Sequence, residues 1–88
     1  MISDEDVRAR LISGDPHALE SAYDAYAPYV YGVAVKVTGS TAAAEEVTQE
    51  VFVALWERPG AFDPRTGSLR SWLVTRSLHV SATRSRVS

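Results

Sequence analysis

The chain has 88 residues, of which 45% are hydrophobic, a formal net charge of −2 and no cysteine. This length allows one small domain, and the lack of cysteine excludes a disulfide framework and a cysteine-containing zinc site. No apolar run approaches the roughly 20 residues that cross a bilayer, and the acidic start of the chain is the opposite of the basic start of a signal peptide.

The charges are divided unevenly along the chain. Residues 1–57 contain ten acidic and three basic residues, a net charge of −7. Residues 58–88 contain six arginines and a single acid, Asp63, a net charge of +5. This polarity predicts two different partners, a basic or polar one for the first part and an anionic one for the second.

Two helices are predicted in the first forty residues. A short one lies between a serine cap and Gly14, and Asp15, followed by a proline, caps a long one. Pro28 lies inside the long helix and should kink or split it. The valine-rich run 30–37 has the composition of a strand, but the chain offers no second strand to pair with it, so we interpret it as helix.

The third helix, with Ser40 or Thr41 as its N-cap and Pro59 as its stop, has two distinct faces. At about 100° per residue, one broad apolar face is formed by Ala44, Val47, Val51, Phe52 and Leu55. The opposite face carries the polar residues Glu46, Gln49, Glu50 and Glu57. Val53 lies within that polar face and Trp56 at its border. An aromatic anchor in a charged rim is typical of a protein-binding surface; the alternative is a core helix whose exposed side is simply charged.

A loop over residues 59–68, rich in proline and glycine, precedes the fourth helix. Ser68 is the predicted N-cap of this helix, which extends over residues 69–84. One of its faces carries no acid and consists of Trp72, Arg76, His79, Thr83 and Arg86. Such side chains suit phosphate contacts, hydrogen bonds to base edges and base stacking. The alternative is a solvated face with Trp72 in the core.

These elements predict an all-α fold, a compact bundle of about four helices whose long second helix is kinked at Pro28. The core is predicted to contain Leu11, Leu19, Ala22, Tyr23, Tyr26, Val30, Val47, Val51, Phe52, Leu55 and Leu73. On the fourth helix, apolar edges are predicted at Leu69, Leu73 and Val80 on one side and at Val74 and Leu78 on another.

The sequence offers no catalytic motif. The carboxylates Glu45, Glu46, Glu50 and Glu57 lack a histidine at metal-ligand spacing, and His17 and His79 stand alone on different helices. Gly60 and Gly67 do not fit a phosphate-binding loop. The four tyrosines of the second helix are more typical of packing than of a stacking platform. We therefore predict neither an enzyme nor a metal or cofactor site.

Three segments, in order, resemble region 2 of bacterial sigma factors, and the extracytoplasmic-function group is the closest match. They are GDPHALESAYDAYAPYVYGVAVKVTGS, AEEVTQEVFVALWERPGAFDP and GSLRSWLVT. The most specific features are the Glu-x-x-Gln-Glu motif that starts at Glu46, the Phe52 and Trp56 that follow it, the FDP loop and the SWL triplet. The resemblance covers about residues 10–86. It implies the all-α fold of that domain and a non-enzymatic role in transcription initiation.

The resemblance also implies a protein partner for the third helix. In this family the helix binds the coiled coil of the largest subunit of core RNA polymerase. The residues that align with this contact are Glu46, Gln49, Glu50 and Trp56. We add Val53 because of its position on the helical wheel.

For the basic part of the chain, the resemblance implies binding of promoter DNA. In the family, the loop and the fourth helix capture the non-template strand and help to melt the −10 element. Arg76 and His79 align with positions that recognise its upstream edge, and Trp72 with an aromatic that supports strand separation. The loop and cap that hold a flipped base correspond to Arg65, Thr66, Ser68 and Arg70. The acid-free face adds Thr83 and Arg86 to the predicted DNA contacts.

The fourth helix departs from the family pattern. Relatives carry I-A-R-N where this chain has RSLH at residues 76–79, and aspartate where it has Thr83. Leu78 thereby removes an expected phosphate contact, and Thr83 removes an acid expected to stabilise the helix. Either the protein recognises an unusual promoter or its DNA function is weakened.

Two functions therefore stay open. One is a module that binds polymerase and promoter; the other is a helical interaction domain that keeps polymerase or anti-sigma binding without promoter recognition. The resemblance implies a cytoplasmic location, no membrane insertion and an anti-sigma protein as a further partner. It also leads us to expect that residues 1–88 are one domain of a longer factor with a C-terminal region 4 domain for the −35 element.

Overall fold

The computed structural model describes the backbone of residues 3–87 and the side chains of residues 3–84. Within this part, the chain forms four α-helices and one 3-10 turn, with no strand. The elements are α1 Asp4–Ile12, α2 Pro16–Thr38, α3 Thr41–Glu57, the 3-10 turn Pro59–Ala61 and α4 Leu69–Val87. The predicted all-α fold is confirmed, and the valine-rich run 30–37 is helical. The 3-10 turn lies in a segment that was predicted as irregular loop.

Side-chain caps define the helix starts at the positions that the sequence predicts. The capping pairs are Ser3 with the N–H of Asp6 at 3.2 Å, Asp15 with that of His17 at 2.9 Å, Ser40 with that of Ala43 at 3.1 Å and Ser68 with that of Ser71 at 3.0 Å. Of the two candidates for α3, Ser40 is therefore the cap. Gly39 ends α2 with a φ of 69°, a left-handed conformation that glycine adopts without steric cost.

The central element of the bundle is α2, against which the other three helices pack. Its buried residues are Ala18, Ala22, Val30 and Ala34, and these short side chains let the neighbouring helices approach closely. The helix continues through Pro28, which excludes the alternative that this proline splits it. Because proline has no N–H, the carbonyl of Asp24 lacks its usual helical donor.

The core lies between α2, α3 and α4 and extends under the loop. Its buried apolar residues are Leu11, Ala18, Ala22, Val30, Ala34, Ala44, Val47, Val51, Phe52, Leu55, Phe62, Leu69 and Leu73. The prediction of Tyr23 as a core residue is wrong, because its side chain is 46% exposed. Its ring meets that of Phe52 edge-on at 5.0 Å and covers the core from outside, which leaves the phenol free to contact water. Leu19 and Tyr26 are half-buried at the border of the core.

The buried face of α4 is partly polar. Leu69 and Leu73 are buried as predicted, but Ser77 and Ser81 continue the stripe with no exposed surface, and the predicted Val80 is only half-buried. The Ser77 hydroxyl donates to the carbonyl of Val30 on α2 at 2.8 Å. The Ser77 side chain is short, and its hydroxyl has a hydrogen-bond acceptor although it is buried. The helices α2 and α4 can therefore come close together at this position, which explains why the residue here is a serine and not a larger one.

Residues of α1 form hydrogen bonds with the segment between α3 and α4. The Asp4 carboxylate accepts from the N–H of Leu69 at 2.9 Å, so a residue of α1 caps the start of α4. Arg8 Nε donates to the carbonyl of Phe62 at 2.8 Å, and the Phe62 ring is buried. These contacts span more than fifty residues of sequence and hold both ends of the loop.

Candidate functional surfaces

All five residues predicted for protein binding on α3 lie at the surface. They are Glu46, Gln49, Glu50, Val53 and Trp56. Val53 is 50% exposed and Trp56 36% exposed. Neither side chain belongs to the core, so both are available to a partner. We call these five residues the acidic face of α3.

A cleft of about 740 Å³ lies beside the acidic face, between α2 and α3. Its lining residues are Tyr23, Asp24, Ala27, Pro28, Tyr31, Glu45, Glu46, Thr48 and Gln49. Two of them, Glu46 and Gln49, also belong to the acidic face. The cleft combines aromatic surface with three carboxylates, and such a surface suits a partner that presents apolar and basic side chains.

A cation from α4 reaches the acidic face. Arg84 Nη1 lies 2.7 Å from Glu46 Oε2, and Nη2 lies 3.6 Å from Glu50 Oε2. The Arg84 side chain is 39% exposed, so this ion pair is partly shielded from solvent. The two surfaces that the sequence predicts for different partners are therefore connected by one guanidinium.

A second pocket, of about 330 Å³, lies between the loop and α4. Its lining residues are Phe62, Asp63, Thr66, Gly67, Ser68, Ser71, Trp72, Thr75, Arg76 and His79. The half-buried Trp72 packs edge-on against Phe62, with ring centroids 6.4 Å apart, and the Arg76 guanidinium lies 5.8 Å from the centre of the Trp72 ring. The tryptophan is thus neither in the core nor free in solvent, but forms one wall of the pocket.

The loop beside this pocket is shaped by Asp63. Its carboxylate accepts from the backbone N–H of Arg65 at 2.9 Å, and its carbonyl accepts from the N–H of Thr66 at 3.0 Å, as expected for aspartate followed by proline at the start of a turn. The Arg65 side chain donates two further hydrogen bonds to the same carboxylate, each 3.2 Å long. These hydrogen bonds lower the pKa of Asp63 and raise that of Arg65. Among the described residues that line the pocket, Asp63 is the one carboxylate, and the guanidinium of Arg65 partly offsets its charge.

The structure brings together five of the predicted DNA contacts and places two others, Arg65 and Arg70, apart from them. Thr66, Ser68, Trp72, Arg76 and His79 line the pocket. Arg65 lies outside it, against Asp63, and Arg70 lies on the opposite side of α4, 4.9 Å from the centre of the Tyr29 ring. Thr83 is one turn beyond His79, whose carbonyl accepts from its hydroxyl at 3.0 Å. The side chain of Arg86 lies outside the described residues.

Sequence reasoning missed Arg84, Asp4 and Arg8. The helical spacing of α4 could have indicated the role of Arg84. An arginine at a position that continues the buried stripe of a helix needs an acidic partner on the helix that it faces. Asp4 and Arg8 gave no such signal, since an acid in the first turn of a helix and an arginine in the next turn are both typical of an exposed surface.

None of the helices in the described part of the chain is long and apolar enough to span a membrane. Nor do three or more His, Cys, Asp or Glu side chains there come together in a way that could hold a metal ion.

Comparison with known proteins connects these surfaces to a family. Residues 22–86 match the family model of Sigma-70 region 2. The chain is 34% identical over 74 residues to the ECF RNA polymerase sigma factor SigK of Mycobacterium sp. (strain KMS), a match that covers 83% of this chain and 38% of the relative. It is 36% identical to the SigK proteins of Mycobacterium bovis (strain BCG / Pasteur 1173P2) and Mycobacterium tuberculosis (strain ATCC 25618 / H37Rv), with 83% of this chain and 40% of each relative covered.

The chain spans about two-fifths of the length of these relatives. No solved structure is significantly similar to it. The matched residues include most of α2, all of α3 and all of α4 except its last residue. The resemblance inferred from the sequence is confirmed: the chain belongs to the Sigma-70 region 2 family and is related to the sigma factors of the extracytoplasmic-function group.

Proposed function

We propose that this domain acts in transcription initiation by binding core RNA polymerase through the acidic face of α3 and the promoter −10 element through the pocket between the loop and α4. The observation that carries the proposal is the composition of that pocket: Trp72, Arg76 and His79 project from one face of α4 beside a loop of small polar residues. Membership of the family supports a transcription initiation role. We also propose that the domain works in the cytoplasm, where its polymerase partner would be, and has an anti-sigma protein as a further partner.

The pocket has the properties required to hold one nucleotide base. A volume of about 330 Å³ is small for a ligand site and suits a flat aromatic group. Trp72 offers a ring for stacking, which contributes about 1–3 kcal/mol per base in proteins that bind single strands. Hydroxyl groups of Thr66, Ser68 and Thr75 can donate to or accept from base edges. Because Asp63 is paired with Arg65, the guanidinium offsets part of the repulsion between its carboxylate and the phosphates.

The acidic face of α3 has the anatomy of a protein-binding surface. Trp56 and Val53 provide apolar contact area, while Glu46 and Glu50 surround it with negative charge. Tryptophan is among the residues that contribute most to binding energy at interfaces. We propose the coiled coil of the largest polymerase subunit as the occupant, with the cleft beside α2 receiving its basic and apolar side chains.

One observation favours the second function, an interaction domain that does not recognise promoters. Leu78 is 47% exposed on α4, where the family pattern has an arginine. An exposed leucine weakens binding of phosphate and offers apolar surface for a protein instead. Under this function the acidic face keeps its role and the pocket has none.

Transcription from a library of promoters by the full-length factor with core polymerase separates the two functions. Arg76→Ala combined with His79→Ala should change the preferred −10 sequence, since each good contact to a base edge discriminates by about 1–3 kcal/mol. Arg58→Ala is the matched control, because Arg58 is exposed at the end of α3 and outside the pocket. An unchanged preference in the double variant would exclude promoter recognition by this face.

Binding to core polymerase tests the acidic face. Glu50→Ala and Trp56→Ala should each reduce capture of the enzyme while the melting temperature stays close to that of the parent chain, because both side chains are at the surface. Glu20→Ala, an exposed acid on α2, is the control for lost charge. Full polymerase binding by both variants, or loss of binding by the control as well, would contradict the assignment.

A further inference from the structure

A third depression, about 400 Å³ in volume, lies between α3 and α4. Its lining residues are Glu50, Arg76, His79, Val80, Thr83 and Arg84. It shares Arg76 and His79 with the proposed base pocket and shares Glu50 with the acidic face. We call it the α3–α4 groove. It joins the two surfaces for which different partners are proposed.

Arg84 lines this groove and at the same time binds the acidic face. Its Nη1 forms a charged hydrogen bond of 2.7 Å to Glu46, whereas the 3.6 Å approach of Nη2 to Glu50 is too long for a hydrogen bond. Its buried Nε has no hydrogen-bond partner among the described residues. The guanidinium therefore uses only part of its donor capacity.

The same guanidinium matches a second type of ligand. Its planar fork of N–H donors binds carboxylates and phosphates in the same geometry. On the groove side, Arg76, His79 and the Thr83 hydroxyl are further groups that bind phosphate oxygens. What opposes a phosphate in this groove is the charge of Glu46 and Glu50, which Arg84 only partly neutralises.

We propose that the α3–α4 groove is a binding site for the phosphate backbone of the nucleic acid and that Glu46 and Glu50 weaken phosphate binding in the unbound chain by holding Arg84. When a basic partner surface binds these two carboxylates, Arg84 turns to the phosphate. The inference rests on the proposed function and extends it, because it couples the two surfaces. By linkage, phosphate binding in the groove strengthens binding of the basic partner by the same factor.

The test measures the affinity of this chain for two labelled single-stranded oligonucleotides, one with a −10-like sequence and one scrambled. Glu46→Gln combined with Glu50→Gln should raise the affinity for both by about five-fold or more, the lower range of allosteric coupling. It should also steepen the salt dependence by about 0.7 in the logarithmic slope, the value for one added phosphate contact on a single strand. Adding Arg84→Met should abolish both effects.

A matched control removes two acids from the same helix without involving Arg84. Glu45 and Glu57 are exposed and form no ion pair with Arg84 in the described structure, so Glu45→Gln with Glu57→Gln reports the effect of net charge alone. An equal gain in this control, a gain that survives Arg84→Met, or no measurable binding by any variant would overturn the inference. Failure of the proposed promoter recognition is a different result, in which both oligonucleotides bind equally well. Thermal melting of each variant confirms that it is folded.

Discussion

The helices α3 and α4 are similar in length, 17 and 19 residues, but they bury different kinds of side chain. Apart from Thr48, the buried residues of α3 are apolar. The described stripe on α4 begins with two leucines and continues with Ser77 and Ser81. A strongly apolar stripe leaves no doubt which side of a helix faces solvent, whereas serines at the contact with α2 blur the pattern. The outer face of α3 therefore follows from periodicity alone, whereas that of α4 depends on the helix that packs against it.

The largest expected effect is the difference in the free energy of unfolding between a substitution on the buried face of α3 and one on its exposed face. Leu55 has no exposed surface, and Leu55→Ala should lower the free energy of unfolding by about 2–5 kcal/mol because it leaves a cavity in the core. Val53→Ala, two residues away on the exposed face, should change it by no more than about 0.5 kcal/mol. Urea denaturation of the two variants checks the difference. Similar losses would mean that the acidic face is also a packing surface.

A second prediction tests whether the serines of α4 are required by close packing. Ser77→Leu should lower the free energy of unfolding by about 1–3 kcal/mol through overpacking against α2. Ser77→Ala should cost about 0.5–1.5 kcal/mol, since it removes one hydrogen bond to the Val30 carbonyl. Ala82→Leu on the exposed side of the same helix is the control for size. If Ser77→Leu stabilised the protein, the contact between α2 and α4 would have room that the structure does not show.

The smallest expected effect concerns the connection between α1 and α4. Asp4→Ala should lower the free energy of unfolding by about 1 kcal/mol, as typical for a lost N-cap, because the N–H of Leu69 loses its acceptor. Hydrogen exchange at the amide of Leu69 should become faster. Glu5→Ala, at the neighbouring exposed position, should leave that exchange rate unchanged. Unaltered exchange in the Asp4 variant would show that Ser68 alone holds the start of α4.

Much of the fold could be predicted because its signals are local. Ser3, Asp15, Ser40 and Ser68 cap helices through the backbone within three residues of themselves. Tyr23 was misplaced because an aromatic at a helical spacing fits both the core and its border. Only the position of Phe52 decides between the two.

The candidate sites were predictable as sets of residues but not as arrangements. The acid-free face of α4 was recognisable from its spacing, and Trp72, Arg76 and His79 do line one pocket. The resemblance grouped Arg70 with the loop and cap of this site, although the helix rotates it to the opposite side, over Tyr29. Arg65 is likewise near the pocket in sequence but held by Asp63.

The sequence by itself determined the helical class, the helix starts and the separation of acidic and basic parts, since each depends on neighbouring residues or on their sum. The tertiary structure alone decided that Arg84 meets Glu46, that Asp4 caps α4 and that Ser77 is buried. The physical reason is distance along the chain: these contacts join residues 38 to 65 positions apart. No local preference encodes such a pair, because only the packing of α1, α3 and α4 around α2 brings its two members together.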